Sequence, residues 1–198
     1  FATSVLSDQC SDAASAFFVI DQVITLMSGA LSAKLSRPIK IEIESTIWSY
    51  NDEPHIKSDL SSGPVEIMHD LSLISLKEGQ NTIDKLIYKA IDDTKYNNWS
   101  LYFLLNYLHE VDEKNVFIVG YKILENLGKG KFERKFADSF TNTTNNPMLS
   151  GFSSRHGLGT HNQNLGNKAK TVSAELSVKT ILSVAWSYLK ETVGTLDI

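Results

Sequence analysis

The sequence predicts a mainly α fold, a helical bundle with a small β insertion at about residues 38–76. Apolar residues recur at three- and four-residue steps in several long segments, which is the period of a helix buried on one face. Directly after Pro38 the period changes to alternation, which is typical of a half-exposed strand. The helical period returns at Thr82 and dominates the remainder of the chain.

Size and composition indicate one ordinary globular domain. A chain of 198 residues can bury a substantial core, so we expect a single domain over residues 1–198 that contains the β insertion. The net charge of −4 argues against a strongly basic nucleic-acid coat protein. A single cysteine, Cys10, cannot form an internal disulfide, which fits a cytoplasmic protein. Because the chain begins at Phe1, we interpret it as a piece of a longer protein that carries additional domains.

The first helix and the β insertion are predicted from a change of period. Residues 11–35 form a helix with a buried stripe of Phe17, Ile20, Ile24, Met27, Leu31 and Leu35. A strand is predicted from Ile39, in which Ile39, Ile41 and Ile43 alternate with charged residues and Ile47 and Tyr50 follow. Residues 51–64 are predicted to be a loop, and residues 65–76 a second extended segment. No apolar run approaches the roughly 18 residues of a membrane span, so no membrane partner is expected.

The second half is predicted to be helical almost throughout. The predicted helices cover residues 82–92, 98–111, 113–127 and 131–139, and a last one runs from about 169 to 192. The segment 141–147 is expected to be a polar break. The buried stripe of the last helix is predicted to consist of Leu176, Ile181, Leu182, Ala185, Trp186, Leu189 and Val193.

Residues 145–170 form a locally cationic segment in an acidic chain. No acidic residue occurs in this segment, and its charged or titratable residues are Arg155, His156, His161, Lys168 and Lys170. Four glycines allow the backbone to come close to a ligand. A helix beginning near Gly166 would add the partial positive charge of its free N–H groups. The segment therefore predicts an anion-binding site.

The residue types suit the cleavage of a phosphodiester without a metal or other cofactor. Cleavage of RNA needs a base to take the proton of a 2′-hydroxyl and an acid to protonate the leaving 5′-oxygen, and histidine can do both near neutral pH. A planar arginine can hold the phosphate oxygens as their charge increases. Because one chain supplies only one such arginine, two copies around a two-fold axis would complete the site.

The element Arg155-His156-x4-His161 before a long terminal helix resembles the R-polar-x(3–5)-H motif of the HEPN superfamily. The approach to it, through residues 136–140, 145–147 and 154–157, is similar to HEPN-like proteins of bacterial and phage-defence contexts. The resemblance covers about residues 97–192, and residues 11–35 correspond to a first helix. It implies that Arg155 binds the scissile phosphate, that His161 is the catalytic histidine and that His156 supports them.

The resemblance also implies a function. HEPN proteins typically dimerise so that two motifs face each other, and active members are metal-independent RNases. We therefore expect a homodimeric endoribonuclease of prokaryotic antiviral defence, abortive infection or a toxin system. Gly157 and Gly159 lie inside the motif, however, and suit a loop better than a helical turn. The alternative is a non-catalytic HEPN-like module that dimerises or senses a nucleotide for a larger effector.

Other readings of the candidate residues remain open. The two histidines also fit a solvated loop, whereas a zinc site is disfavoured because no cysteine or acidic ligand lies nearby. Lys131 and Arg134 belong to a basic cluster that either guides RNA toward residues 155–161 or is a solvated helix face. The pairs His109-Glu110 and Asp112-Glu113 are interpreted as surface charge rather than a metal or acid–base pair, and no metal is predicted.

Overall fold

The chain folds as a mainly α protein, as the sequence predicts. The structure is a computed structural model that describes residues 13–41, 46–50, 53–57, 81–144 and 171–194. The described part contains six α-helices: α1 (Ala13–Leu35), α2 (Thr82–Thr94), α3 (Ser100–Glu110), α4 (Val116–Leu127), α5 (Arg134–Thr144) and α6 (Ala174–Gly194). A turn of 3₁₀ helix, Lys129–Lys131, lies between α4 and α5.

Local chemistry explains where the helices begin and end. Asn81 caps α2, because its side-chain oxygen accepts hydrogen bonds from the backbone N–H groups of Ile83 and Asp84, at 2.9 and 3.0 Å. The helix α4 ends at Gly128, whose φ of 84° favours glycine. These signals place the observed helix boundaries within a few residues of those predicted from the apolar period.

The closest helix pair in the core is α1 against α3. A Cβ built at Gly29 of α1 would lie 2.0 Å from the carbonyl oxygen of Leu105, so only glycine permits this approach of the two backbones. The small residues Ala30 and Ala33 of α1 are fully buried beside it, and so are Leu105 and Leu108 of α3. The α1–α3 contact therefore depends on small residues rather than on interlocking large ones.

A second set of contacts joins α4, α5 and α6. The Phe117 ring of α4 stacks on Phe140 of α5, with ring centroids 5.7 Å apart. Gly120 of α4 lies against both Phe140 and Ile181 of α6. Because Phe140 and Ile181 are fully buried, these contacts pack both α5 and α6 against α4.

The β insertion is present as an antiparallel pair, but its strands differ from those predicted. The strands are β1 (Thr46–Tyr50) and β2 (Glu53–Lys57), with Ile47 opposite Ile56. The prediction of a loop over residues 51–64 is therefore wrong for β2. The second predicted extended segment, residues 65–76, lies outside the described residues.

The chain around Ile39 is bound to α1 instead of forming a strand. The Ile39 N–H donates to the Ser32 hydroxyl at 2.8 Å, and the hydroxyls of Ser28 and Ser32 both donate to the Ile39 carbonyl. Both polar groups of the Ile39 backbone are thus used by side chains of α1. Since a strand needs these groups for its ladder, the predicted start at Ile39 is wrong.

Two predictions about the last helices also need correction. The predicted polar break begins too early, because α5 continues to Thr144 and buries both Thr143 and Thr144. The predicted stripe of α6 is confirmed at five positions, which are buried: Ile181, Leu182, Ala185, Leu189 and Val193. Leu176, by contrast, is 53% exposed, because it lies in the first turn of α6.

Helix α1 is long and apolar enough to cross a membrane over Phe17–Leu35, which the sequence analysis did not anticipate. In the structure this helix packs on α3 and on α6. Val19, Leu26, Ala30 and Ala33 are buried by these neighbours. The stripe predicted for this helix is therefore wrong, because Leu35 is 48% exposed and the other five predicted positions are only partly buried. Such packing is what a central helix of a helical core shows, and the absence of a membrane partner stays a prediction.

Candidate functional site

The predicted catalytic segment leaves and re-enters the helical bundle at one point. Helix α5 ends at Thr144, and the described chain resumes at Thr171. The backbone N–H of Val172 donates to the Thr143 hydroxyl at 3.1 Å. This bond ties the end of α5 to the approach to α6, so the described residues on either side of residues 145–170, hereafter called the excursion, lie close together.

The predicted site residues of this excursion lie outside the described residues. They are Arg155, His156, His161, Lys168 and Lys170. The structure therefore defines the base from which they are presented, and their mutual arrangement stays a prediction.

The base of the excursion is held by hydroxyl groups. The Thr143 hydroxyl, besides accepting from Val172, donates to the Ser139 carbonyl at 2.8 Å. On the other side, the Ser173 hydroxyl accepts from the Leu176 N–H at 3.2 Å and caps α6. The Thr143 and Ser173 hydroxyls thus accept from the N–H groups of Val172 and Leu176. Backbone N–H groups at a turn or a helix start have no partner within the helix, so these side chains supply one.

Helix α6 begins later than the sequence predicted, and this changes its electrostatic role. Its first residue is Ala174, not a residue near Gly166 or Ala169. Its first turn contains Glu175, whose carboxylate counters the partial positive charge of the helix N-terminus. The positive character of the excursion must therefore come mainly from its own arginine, lysines and histidines.

Asp112, one of the acidic residues weighed for catalysis or metal binding, has a structural role. Its carboxylate accepts from the N–H groups of Lys114 and Asn115, at 2.9 and 3.1 Å, and from the Lys40 ammonium at 3.2 Å. Burial by itself would raise the pKa of Asp112, but these hydrogen bonds hold the pKa below its ordinary value. The ionised carboxylate fixes the turn between α3 and α4.

The two basic residues predicted to guide RNA lie at the far end of α5 from the excursion. Arg134 and Thr144 are ten positions apart on α5, so the distance between them along the helix axis is about 15 Å. Arg134 is almost fully exposed, and its Nε lies 3.9 Å from Asp138. Lys131 pairs with Glu191 of α6 at 2.9 Å. Their assistance to the excursion stays a prediction.

A buried polar cluster between α1 and α3 was missed by the sequence analysis. The Tyr102 hydroxyl donates to the side-chain oxygen of Gln22. Burial raises the pKa of Asp21, and His109 partly opposes this increase; burial also raises the pKa of Tyr102. The sequence contains one signal for this cluster, because Asp21 is an acidic residue within the mostly apolar run of residues 17–27.

A cleft of about 140 Å³ lies at the end of the bundle opposite the excursion. It is formed where α2, the start of α3, the end of α4 and the end of α6 meet, and polar side chains line much of it. Tyr188, which lines this cleft, is fourteen positions after Ala174 on α6, so the distance between them along the helix axis is about 21 Å. The cleft could not be predicted from the sequence, because the residues that line it are far apart along the chain.

The comparisons with known proteins give no match: no family model, no curated protein and no solved structure is similar to this chain. Within the described ranges, no group of three or more His, Cys, Asp or Glu side chains could hold a metal ion.

Proposed function

We propose that this protein is a HEPN-like, metal-independent endoribonuclease that acts as a homodimer in prokaryotic defence or a toxin system. The observation that carries the proposal is the bond from Val172 to Thr143, which closes the cationic segment 145–170 at its base. A helical bundle that presents such a segment directly before its long last helix agrees with the resemblance on which the proposal rests.

The proposed reaction uses only side chains of the excursion. One histidine takes the proton of the 2′-hydroxyl, and the oxygen attacks the adjacent phosphorus. A second histidine protonates the leaving 5′-oxygen, so the products are a 2′,3′-cyclic phosphate and a 5′-hydroxyl. Arg155 stabilises the additional negative charge on the phosphate oxygens. His161 is the proposed catalytic histidine, and His156 supports it.

Dimerisation is part of the proposal because one excursion contains a single arginine. Two copies related by a two-fold axis would place a second set of these groups against the same phosphate. Sedimentation of the purified protein is therefore expected to give twice the mass of one chain.

The test is cleavage of a labelled single-stranded RNA in the presence of EDTA. We expect the wild-type protein to cleave, and Arg155→Ala and His161→Ala each to reduce the rate at least about 100-fold, since each removes a transition-state contact or a proton carrier. Arg37→Ala is the matched control, because Arg37 is an exposed arginine beyond the end of α1. This control is expected to retain the wild-type rate.

Two results would contradict the enzyme proposal. One is a folded dimer that cleaves no RNA in EDTA, which would favour the non-catalytic module that dimerises or senses a nucleotide. The other is cleavage that survives both substitutions, which would show that the activity does not come from this excursion.

A further inference from the structure

The cleft opposite the excursion has a polar rim and an apolar floor. Leu101 and Leu104 of α3 contribute the apolar surface, and Tyr188 of α6 adds an aromatic ring. The Lys131 ammonium lies 5.7 Å from the centroid of that ring and also pairs with Glu191. The Tyr188 ring that lines the cleft is thus also in cation–π contact with Lys131.

The rim of the cleft is organised around Asp93. One carboxylate oxygen accepts from the Lys89 ammonium at 3.1 Å, and the other lies 3.5 Å from the side-chain nitrogen of Asn98. The side-chain oxygen of Asn98 accepts a hydrogen bond from the backbone N–H of Ser100 at 3.4 Å. These bonds position a carboxylate, an ammonium and an amide along one side of the cleft before any ligand is bound.

The opposite side of the cleft supplies further hydrogen-bonding groups. Asn126 of α4 contributes an exposed amide, and Thr192 of α6 contributes a hydroxyl that donates to the Tyr188 carbonyl. Both types of side chain can donate and accept hydrogen bonds. The charges within the cleft nearly cancel, because Lys89 is paired with Asp93.

These features restrict the class of ligand. Paired charges favour a neutral molecule over a phosphate or an amine. The volume of about 140 Å³ is that of about five water molecules, the size of one small ring rather than of a whole nucleotide. An apolar floor below a rim of donors and acceptors fits a ring with one C–H face and hydroxyl groups at its edge. A flat heterocycle would instead need a narrow slot with rings on both sides.

We propose that this cleft binds a small neutral sugar ring with adjacent hydroxyl groups, either a free monosaccharide or the ribose of a nucleoside. The hydroxyls donate to the Asp93 carboxylate and accept from Lys89 and from the amides of Asn98 and Asn126. The C–H face of the sugar lies over the leucines and Tyr188. This site is separate from the proposed nuclease site and does not depend on it.

The experiment is ligand-observed NMR with the full chain and five probes: D-ribose, D-glucose, adenosine, 2′-deoxyadenosine and adenine. We expect saturation transfer to the sugar protons of at least one sugar-bearing probe, and none to adenine alone. Signal from the free monosaccharides identifies a free sugar as the ligand. Signal from adenosine without signal from the monosaccharides identifies the ribose of a nucleoside, and 2′-deoxyadenosine should then bind at least about 5-fold more weakly.

Two variants locate the binding in the cleft. Asn126→Leu removes an exposed amide at the rim, and Asp93→Asn removes the charge of the central carboxylate with little change in shape. Each is expected to weaken sugar binding at least about 5-fold, with unchanged thermal unfolding for Asn126→Leu. Lys122→Gln is the matched control, because Lys122 is exposed one turn earlier on α4 and does not line the cleft.

Three outcomes would overturn the proposal. They are the absence of binding by every probe, binding of adenine as strong as that of adenosine, and sugar binding that Asn126→Leu and Asp93→Asn leave unchanged. None of these outcomes bears on RNA cleavage, which the Arg155 and His161 variants test separately.

Discussion

Gly29 is the residue at which the packing of the bundle is most restricted. Its missing side chain lets the backbones of α1 and α3 approach, and a Cβ there would meet the Leu105 carbonyl oxygen at 2.0 Å. Helix propensity alone would favour alanine at this position by about 1 kcal/mol. The contact with Leu105 therefore outweighs helix propensity at this position.

We predict that Gly29→Ala lowers the free energy of unfolding by about 2 kcal/mol, because one of the two helices must move. Gly194→Ala, at the end of α6, is the matched control, since nothing lies within 4 Å of a Cβ built there. Urea unfolding of both variants measures the difference. Equal stability of the two variants would contradict the close approach of α1 and α3.

The charge state of Asp21 gives a second prediction at this scale. Burial raises the pKa of Asp21 above its ordinary 3.8. The protonated carboxyl therefore stabilises the fold below that value, and this contribution is lost as the pH rises through the raised pKa. We expect Asp21→Asn to gain stability relative to wild type as the pH rises from about 4 to about 7.

Asp112 serves as the internal comparison, because its pKa is shifted in the opposite direction. Hydrogen bonds keep the pKa of Asp112 below its ordinary value, so its carboxylate stabilises the fold above that value and loses this effect as the pH falls. Asp112→Asn should be less stable than wild type near neutral pH, and the deficit should shrink in acid. Urea unfolding across the pH range measures both variants, and parallel pH profiles would refute the assignment.

At the scale of single residues, sequence reasoning identified buried positions of α6 but not those of α1, where Val19, Leu26, Ala30 and Ala33 are buried instead of the predicted stripe. The stripe of α6 from Ile181 to Val193 follows from the helical period alone. The role of Asp21 could not be predicted, because it depends on α3, which is distant in sequence. The turn bonds of Asp112 are local, and only its ion pair with Lys40 depends on another part of the chain. Lys40 is distant from Asp112 in sequence, and His109 is distant from Asp21.

The two adjacent threonines at the end of α5 determine how the excursion is anchored. The Thr143 hydroxyl accepts from Val172 and donates to Ser139. The Thr144 hydroxyl is equally buried but has no hydrogen-bond partner among the described residues. Thr143 and Thr144 are thus alike in residue type and burial, but only the Thr143 hydroxyl is hydrogen-bonded among the described residues.

We predict that Thr143→Val costs about 1–2 kcal/mol of unfolding free energy, because it leaves the Val172 N–H without its acceptor. Thr144→Val should be neutral or slightly stabilising, since it removes a buried polar group without a partner. Chemical denaturation of the two variants compares them directly. A larger loss for Thr144→Val than for Thr143→Val would show that the anchor is misplaced.

At the scale of elements, all six described helices were predicted from the sequence, since each has a sustained apolar period. Both strands lie within the predicted β insertion at about residues 38–76, but β2 falls where a loop was predicted. The apolar alternation begins at Ile39, yet the hydroxyls of Ser28 and Ser32 bind the Ile39 backbone, so Ile39 itself is not in a strand. A local pattern cannot reveal such a competing bond from a preceding helix.

For the whole molecule, the proposal divides function between two ends of one bundle. The excursion 145–170 is anchored where α5 ends and α6 begins, whereas the cleft lies about 21 Å farther along α6. The sequence directed attention to the excursion because its charged residues are close together in the chain. It could not indicate the cleft, which exists only after four helices have packed.

The central claim is that Arg155 and His161 cleave RNA without a metal by activating a 2′-hydroxyl. The most direct measurement is the chemistry of the RNA ends produced in EDTA by wild type and by His161→Ala. We predict 2′,3′-cyclic phosphate and 5′-hydroxyl ends from the wild-type protein and no products from the variant. Intact RNA with the wild-type protein, or the same products from His161→Ala, would contradict the claim.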